Sequence, residues 1–226
     1  GFKLRRNGEL EYISGSTQPL SDSTFVDPTQ IGFSPDGKVL VVTELATNLI
    51  DVYRVNWRGV ASEPITQMSA GDAPFGFAFT KKGIFCARSL LVVSEASGST
   101  SSYAVFKNGI LKTISSAVPS NTGSPCWVAI NDKGTFAYTG NGGPGTISSY
   151  RISWRGRLTL TDSAAATVPS PALDLAFSKN SRFLYALSSD GGQTITGFKV
   201  LWNGNLQQVT SINSADLVAA VGIAAS

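Results

Sequence analysis

Histidine is missing altogether from these 226 residues. Within this chain that excludes a Ser-His-Asp or Cys-His nucleophile pair and zinc sites of the usual histidine-containing kinds. Charge is sparse as well. The 18 Lys and Arg against 15 Asp and Glu leave a formal +3, and no basic run exceeds Arg5-Arg6 or Lys81-Lys82. A nucleic-acid interface is therefore unsupported. No apolar run reaches the ~18 residues that cross a membrane as a helix, so no membrane span is expected. No secretory signal is visible, and cytoplasmic and extracytoplasmic locations are both open. There are only two cysteines, Cys86 and Cys126. Buried apolar thiols are the plainer reading, because spacing alone cannot establish the geometry of a disulfide.

What the chain has is repetition. GFKLRRNG (1–8), VYRVNWRG (52–59), SYAVFKNG (102–109), SYRISWRG (149–156) and GFKVLWNG (197–204) align on Gly8, Gly59, Gly109, Gly156 and Gly204, spaced 51, 50, 47 and 48 residues apart. Upstream of this unit lie PTQIGFSPDG (28–37), PFGFAFTKKG (74–83), PCWVAINDKG (125–134) and ALDLAFSKNS (172–181), each a strand running into a polar turn. Apolar runs of high β-propensity follow: VLVVTE (39–44), LLVVSE (90–95), FAYTGN (136–141) and FLYALS (183–188). A fourth, more polar strand such as GRLTLTDS (156–163) completes each period. Four short antiparallel strands per repeat predict an all-β propeller of about five four-stranded blades, or the C-terminal part of a seven-bladed one.

The expected repeats are 28–72, 73–123, 124–171 and 172–219, in one domain over 1–226. The first strand of each carries a small residue, Gly32, Ala78, Ala129 or Ala176, between large apolar neighbours. Blades converge toward an axis, so close approach there calls for small side chains. AVGIAAS (220–226) fits the same column and reads as an inner strand, while the N-terminus reads as a third strand without a first or second. The termini are thus expected to share one composite blade, 1–27 plus 220–226. A full composite blade would need about 18 more residues. Left incomplete, it would expose a sheet edge that invites self-association.

The strings GFSPDGKVLVVTELATNLIDVYRV (32–55), APFGFAF (73–79), WVAINDKGTFAYTGNGGPGTISSYRIS (127–153) and LAFSKNSRFLYALSSDGGQTITGFKV (175–200) resemble the lactonase-family seven-bladed propellers. That family includes bacterial 6-phosphogluconolactonase, fungal carboxymuconate-lactonizing enzyme and the related YVTN surface-layer repeats. The resemblance implies a sugar-lactone or related small-ring-ester ligand and a chain lacking N-terminal blades. In the muconate-lactonizing branch it also implies a catalytic histidine, which no residue here supplies. FCARSLL (85–91) looks inserted relative to the other second strands.

Seven residues on from the turns at Gly37, Gly134 and Ser181 come Glu44, Asn141 and Ser188, with Glu95 at the matching place in its repeat. Gln30, Trp127 and Asp174 begin inner strands at the same rim. Hard oxygen ligands there could hold Ca²⁺, which could polarise a lactone carbonyl, although no metal motif establishes such a site. Glu44 and Glu95 are the candidates for catalytic carboxylates. The plainer reading makes all of these solvated loop ends and polar plugs of a narrow channel. Trp57, Trp154 and Trp202 occupy turns at the opposite rim, where indoles could stack on sugars or anchor a protein, or fold back over their own hairpins. Two functions follow: a lactone hydrolase, or a non-catalytic propeller that binds carbohydrate or protein.

Overall fold

A computed structural model describes residues 1–21, 24–81, 89–189, 193–214 and 220–225. A two-stranded hairpin comes first, β1 (Phe2–Leu4) with β2 (Leu10–Tyr12). Four four-stranded antiparallel sheets follow. They are β3 (Pro28–Phe33), β4 (Val39–Glu44), β5 (Leu49–Arg54) and β6 (Ile65–Met68); β7 (Pro74–Phe79), β8 (Ser89–Glu95), β9 (Ser99–Val105) and β10 (Leu111–Pro119); β11 (Pro125–Ile130), β12 (Phe136–Asn141), β13 (Thr146–Ile152) and β14 (Leu158–Thr167); and β15 (Ala172–Phe177), β16 (Phe183–Ser189), β17 (Gln193–Val200) and β18 (Leu206–Ser214). Each sheet is a meander whose strands lie in chain order, which makes it a propeller blade.

The five aligned glycines close five copies of one turn. Their φ angles fall between +82° and +89°, a region that a side chain disfavours. Each glycine N–H donates to the carbonyl three residues back, as in Gly59 to Asn56 and Gly204 to Leu201, both at 3.0 Å. The hairpin β1–β2 has the same turn, Gly8 to Arg5 at 3.0 Å, so it stands as the third and fourth strands of a blade.

Register repeats as faithfully. The first residue of each inner strand faces the end of the second: Pro28 with Glu44, Pro74 with Glu95, Pro125 with Asn141, Ala172 with Ser188. A shift of register follows immediately in all four sheets. Such a bulge turns the next side chains out of the ladder and toward a neighbour.

Sheets stack face to face, which explains why the second strands are apolar on both sides. Val39, Val41, Ile50 and Val52 meet Phe77, Leu91, Val93 and Tyr103 in the first gap. Leu90 and Val92 meet Ala137, Tyr150 and Ile152 in the second; Tyr138 and Ile147 meet Leu175, Leu184, Ala186 and Phe198 in the third. Small inner-strand residues serve the close approach: a methyl at Gly32 would stand 3.0 Å from the Phe77 ring.

The first sheet is covered less well. Ile31 is 66% exposed, whereas its column mates Phe77 and Leu175 are 4% and 7% exposed. The hairpin and the segment after it cover only part of this face, with Gln18 Nε2 donating to the Ala61 carbonyl and Tyr53 donating to that of Pro19. Between them runs a groove of about 780 Å³ lined by Phe2, Ile13, Leu20, Ile31, Phe33 and Leu40, among others.

Residues 220–225 form no ladder with β1 or β2. They run along the last sheet. Ile223 N–H donates to Asp174 Oδ2 at 2.8 Å, and Gln193 Nε2 donates to the Ala220 carbonyl at 2.9 Å. The first of these bonds repeats that of Phe77 N–H to Gln30 Oε1, 2.7 Å, between the first two sheets. The C-terminal segment therefore sits beside β15 where a next inner strand sits beside β3. Of the segment 85–91, residues 85–88 lie outside the described residues, as does Cys86, so the Cys86–Cys126 pairing is not addressed. The Cys126 thiol itself donates to the Ser124 carbonyl at 3.3 Å.

Candidate functional site

The equivalence of the four sheets puts Glu44, Glu95, Asn141 and Ser188 at the same strand end, and all four are fully buried. In this the structure departs from the expectation of an open rim. Sheet stacking closes over strand ends that the sequence pattern could only place beside a loop.

Each buried group finds partners within its own sheet or in the adjoining gap. Glu44 accepts from Ser21 N–H at 3.0 Å, Ser21 Oγ at 2.7 Å and Thr47 Oγ1 at 2.6 Å. Burial pushes its pKa up, but the bonds from Thr47 and Ser21 outweigh that and hold it below the usual carboxylate range. Asp51 lies against it, accepting from Thr66 Oγ1 at 2.6 Å and from the Tyr53 hydroxyl at 3.3 Å. Burial raises the Asp51 pKa, and the neighbouring Glu44 charge raises it further. Of this carboxyl pair, Asp51 takes the proton first.

Glu95 accepts from the Ser99 and Ser69 hydroxyls. Burial lifts its pKa, with the hydroxyls of Ser101 and Ser99 only partly offsetting the effect. Gly71 is required beside it, because a methyl there would overlap the carboxylate. Asn141 donates to Thr146 Oγ1 at 3.0 Å and Ser148 Oγ at 2.8 Å, and Ser188 donates to the Thr194 carbonyl at 3.4 Å.

Gln30, Trp127 and Asp174 are half-buried and join neighbouring strands. Gln30 accepts from Phe77 N–H at 2.7 Å and donates back to its carbonyl at 3.0 Å, a two-point clamp between blades. Asp174 accepts from Leu175 and Ile223 N–H at 2.7 and 2.8 Å. Burial raises its pKa against those two bonds. Trp127 meets Phe75 edge to face, centroids 5.4 Å apart. Thr43 and Ser94 add the same stitch in successive gaps, donating to the Phe75 and Cys126 carbonyls at 2.6 and 2.5 Å.

Asp51, Thr43 and Ser94 escaped sequence reasoning. The available signal was a polar residue recurring inside apolar strands, Asp51, Ser101, Ser148 and Thr196 sharing one column of the third strand. Among the described residues no three His, Cys, Asp or Glu side chains gather as a metal-binding group. At the opposite rim Trp57, Trp154 and Trp202 are 87%, 67% and 94% exposed, so they do not fold back over their hairpins.

Residues 114–218 match the family described as Lactonase, 7-bladed beta-propeller. Solved structures give the wider likeness. A Lactobacillus plantarum protein superposes with a TM-score of 0.74 at 17% identity, over 93% of this chain and 63% of its own. A Bacteroides fragilis protein, provisionally a 6-phosphogluconolactonase, gives 0.73 at 16% identity, over 94% and 64%. The Pseudomonas aeruginosa periplasmic gluconolactonase gives 0.70 at 17% identity, over 93% and 62%. The chain thus spans less than two thirds of the length of each. No curated protein matches it by sequence. Residues 114–218 match the lactonase seven-bladed propeller family, and the chain as a whole has the β-propeller fold of these neighbours.

Proposed function

We propose that this chain is a binding propeller of lactonase type that does not itself turn over lactones. The observation that carries this reading is the closure of Glu44 and Glu95. Both carboxylates are fully buried and accept hydrogen bonds from hydroxyl or N–H groups. A general base must come within hydrogen-bond reach of the proton it takes, and a Ca²⁺ site needs six to eight oxygen ligands. Carboxylates already enclosed by their own hydroxyls are suited to fastening blades together. Carbohydrate or protein then binds at an exposed rim.

The lactone-hydrolase reading keeps one supporting observation. Burial holds the Glu95 carboxyl toward its protonated form, the state of a general acid. Incubation with glucono-δ-lactone and related sugar lactones, with and without Ca²⁺, separates the two. The binding reading expects ring opening no faster than in protein-free buffer. Turnover by the wild type that disappears in a folded Glu95→Gln variant would replace it with the hydrolase.

A further inference from the structure

The antiparallel meander sorts the loops of every blade. Turns joining first to second and third to fourth strands leave on one side of the arc. Those joining second to third strands, or one blade to the next, leave on the other. The cations are sorted the same way. Lys82 and Arg88 lie outside the described residues. Each of the remaining Lys and Arg residues lies in the first set of turns or within two residues of them along a flanking strand. The described loop residues at 13–21, 24–27, 45–48, 69–73, 96–98, 120–124, 142–145 and 168–171, on the other side, include none. By the same measure five acids share the basic side: Glu9, Glu11, Asp36, Glu63 and Asp132. Glu11 is paired with Arg5 and Asp132 with Lys81, the latter at 2.5 Å, and Asp36 is turned back to its own loop, accepting from Ser34 Oγ at 2.8 Å. A mild net charge thus conceals a strongly basic face.

The exposed tryptophans stand on that same side. Trp57, Trp154 and Trp202 occupy one position of the repeated glycine turn, so the fold presents them equivalently from three blades. Arg58 lies over the Trp57 ring at 4.7 Å and Arg155 over the Trp154 ring at 4.4 Å. Lys107 and Arg6 take the indole position in the other two units.

We propose that this face docks on an anionic phospholipid bilayer. Charge complementarity supplies the attraction, and exposed indoles beside guanidinium groups suit the level where headgroups meet acyl chains. Equivalent turns on one side of an arc of blades match a flat, extended partner. A carbohydrate chain stacks on free indole faces, and two of these three indoles already have a guanidinium on one face. The inference stands apart from lactone turnover, so either can fail without the other.

Flotation with phosphatidylcholine vesicles, with and without phosphatidylserine, tests it. The chain is expected to float only with phosphatidylserine, to be released by raised salt, and to shift its tryptophan emission to the blue on binding. Arg58→Gln and Arg155→Gln should each weaken binding about fivefold, the equivalent of roughly 1 kcal/mol per cation near the surface. Joint replacement of Trp57, Trp154 and Trp202 by Ala, all at exposed positions, should abolish the blue shift and weaken flotation while circular dichroism stays unchanged. Asp72→Asn, on the opposite side, should change nothing. No flotation with phosphatidylserine at low salt would overturn the proposal. Retention on immobilised heparin without vesicle binding would overturn it in favour of an acidic polysaccharide.

Discussion

Leu175→Ala is expected to destabilise the chain by about 2–5 kcal/mol, and Ile31→Ala, at the same place in the first sheet, by under about 1 kcal/mol. The two side chains are isomers in the same column of the inner strand. Leu175 is 7% exposed and packs among Leu184 of its own sheet and Ala129 and Tyr138 of the facing one, so its truncation removes apolar burial and leaves a cavity. Ile31 is 66% exposed on the groove beside the N-terminal hairpin, where truncation mostly removes surface already in contact with water. Urea unfolding of both variants measures the difference. Equal costs would mean that the first sheet is covered in solution, and a change in sedimentation on dilution would show whether a second copy covers it.

Glu95→Ala is expected to cost about 2–4 kcal/mol, because it strands buried hydroxyls that the carboxylate now satisfies. Glu95→Gln keeps the shape and should behave differently with pH. A carboxyl whose folded pKa lies above its unfolded value stabilises the fold below the unfolded pKa. That contribution is lost as pH rises through the folded value. Burial raises Glu95, so wild type should lose stability relative to Glu95→Gln on going from acid to neutral pH. Glu44 has the opposite sign. Its folded pKa is held low, so its contribution is present above the unfolded pKa and vanishes as pH falls through the folded one. Glu44→Gln should therefore cost most at neutral pH. Denaturation midpoints of the two variants across the carboxyl titration range check both signs. Parallel pH profiles would contradict the assignment.

The architecture was legible because its determinants are periodic. One glycine recurs where φ must be positive, and apolar runs recur where a blade has neighbours on both faces. Strand bounds such as Val39–Glu44 and Phe136–Asn141 coincide with the runs read from the residues. The candidate site was half legible. Counting from the hairpin turns placed Glu44, Asn141 and Ser188, and matching LVVSE to LVVTE placed Glu95, on equivalent strand ends, which is a matter of register. Whether those ends open to water depends on how one sheet lies over the next. That is a long-range relation with no signature in a single strand. Ser21 shows the difficulty. It lies in a loop of unremarkable composition and caps Glu44 from 23 residues away. The tryptophans mislead in the other direction. Their turns specify backbone geometry and do not specify which way the indoles point, which in the structure is outward.

Carboxyl carbon-13 titration of Glu44 and Glu95, in apo protein and with Ca²⁺ or glucono-δ-lactone added, tests most directly whether these groups fasten blades or do chemistry. Blade-fastening predicts that Glu95 titrates above the usual carboxylate range and Glu44 below it, with neither midpoint moved by cation or lactone. Two midpoints in the ordinary range, both shifting when Ca²⁺ or lactone is added, would contradict it.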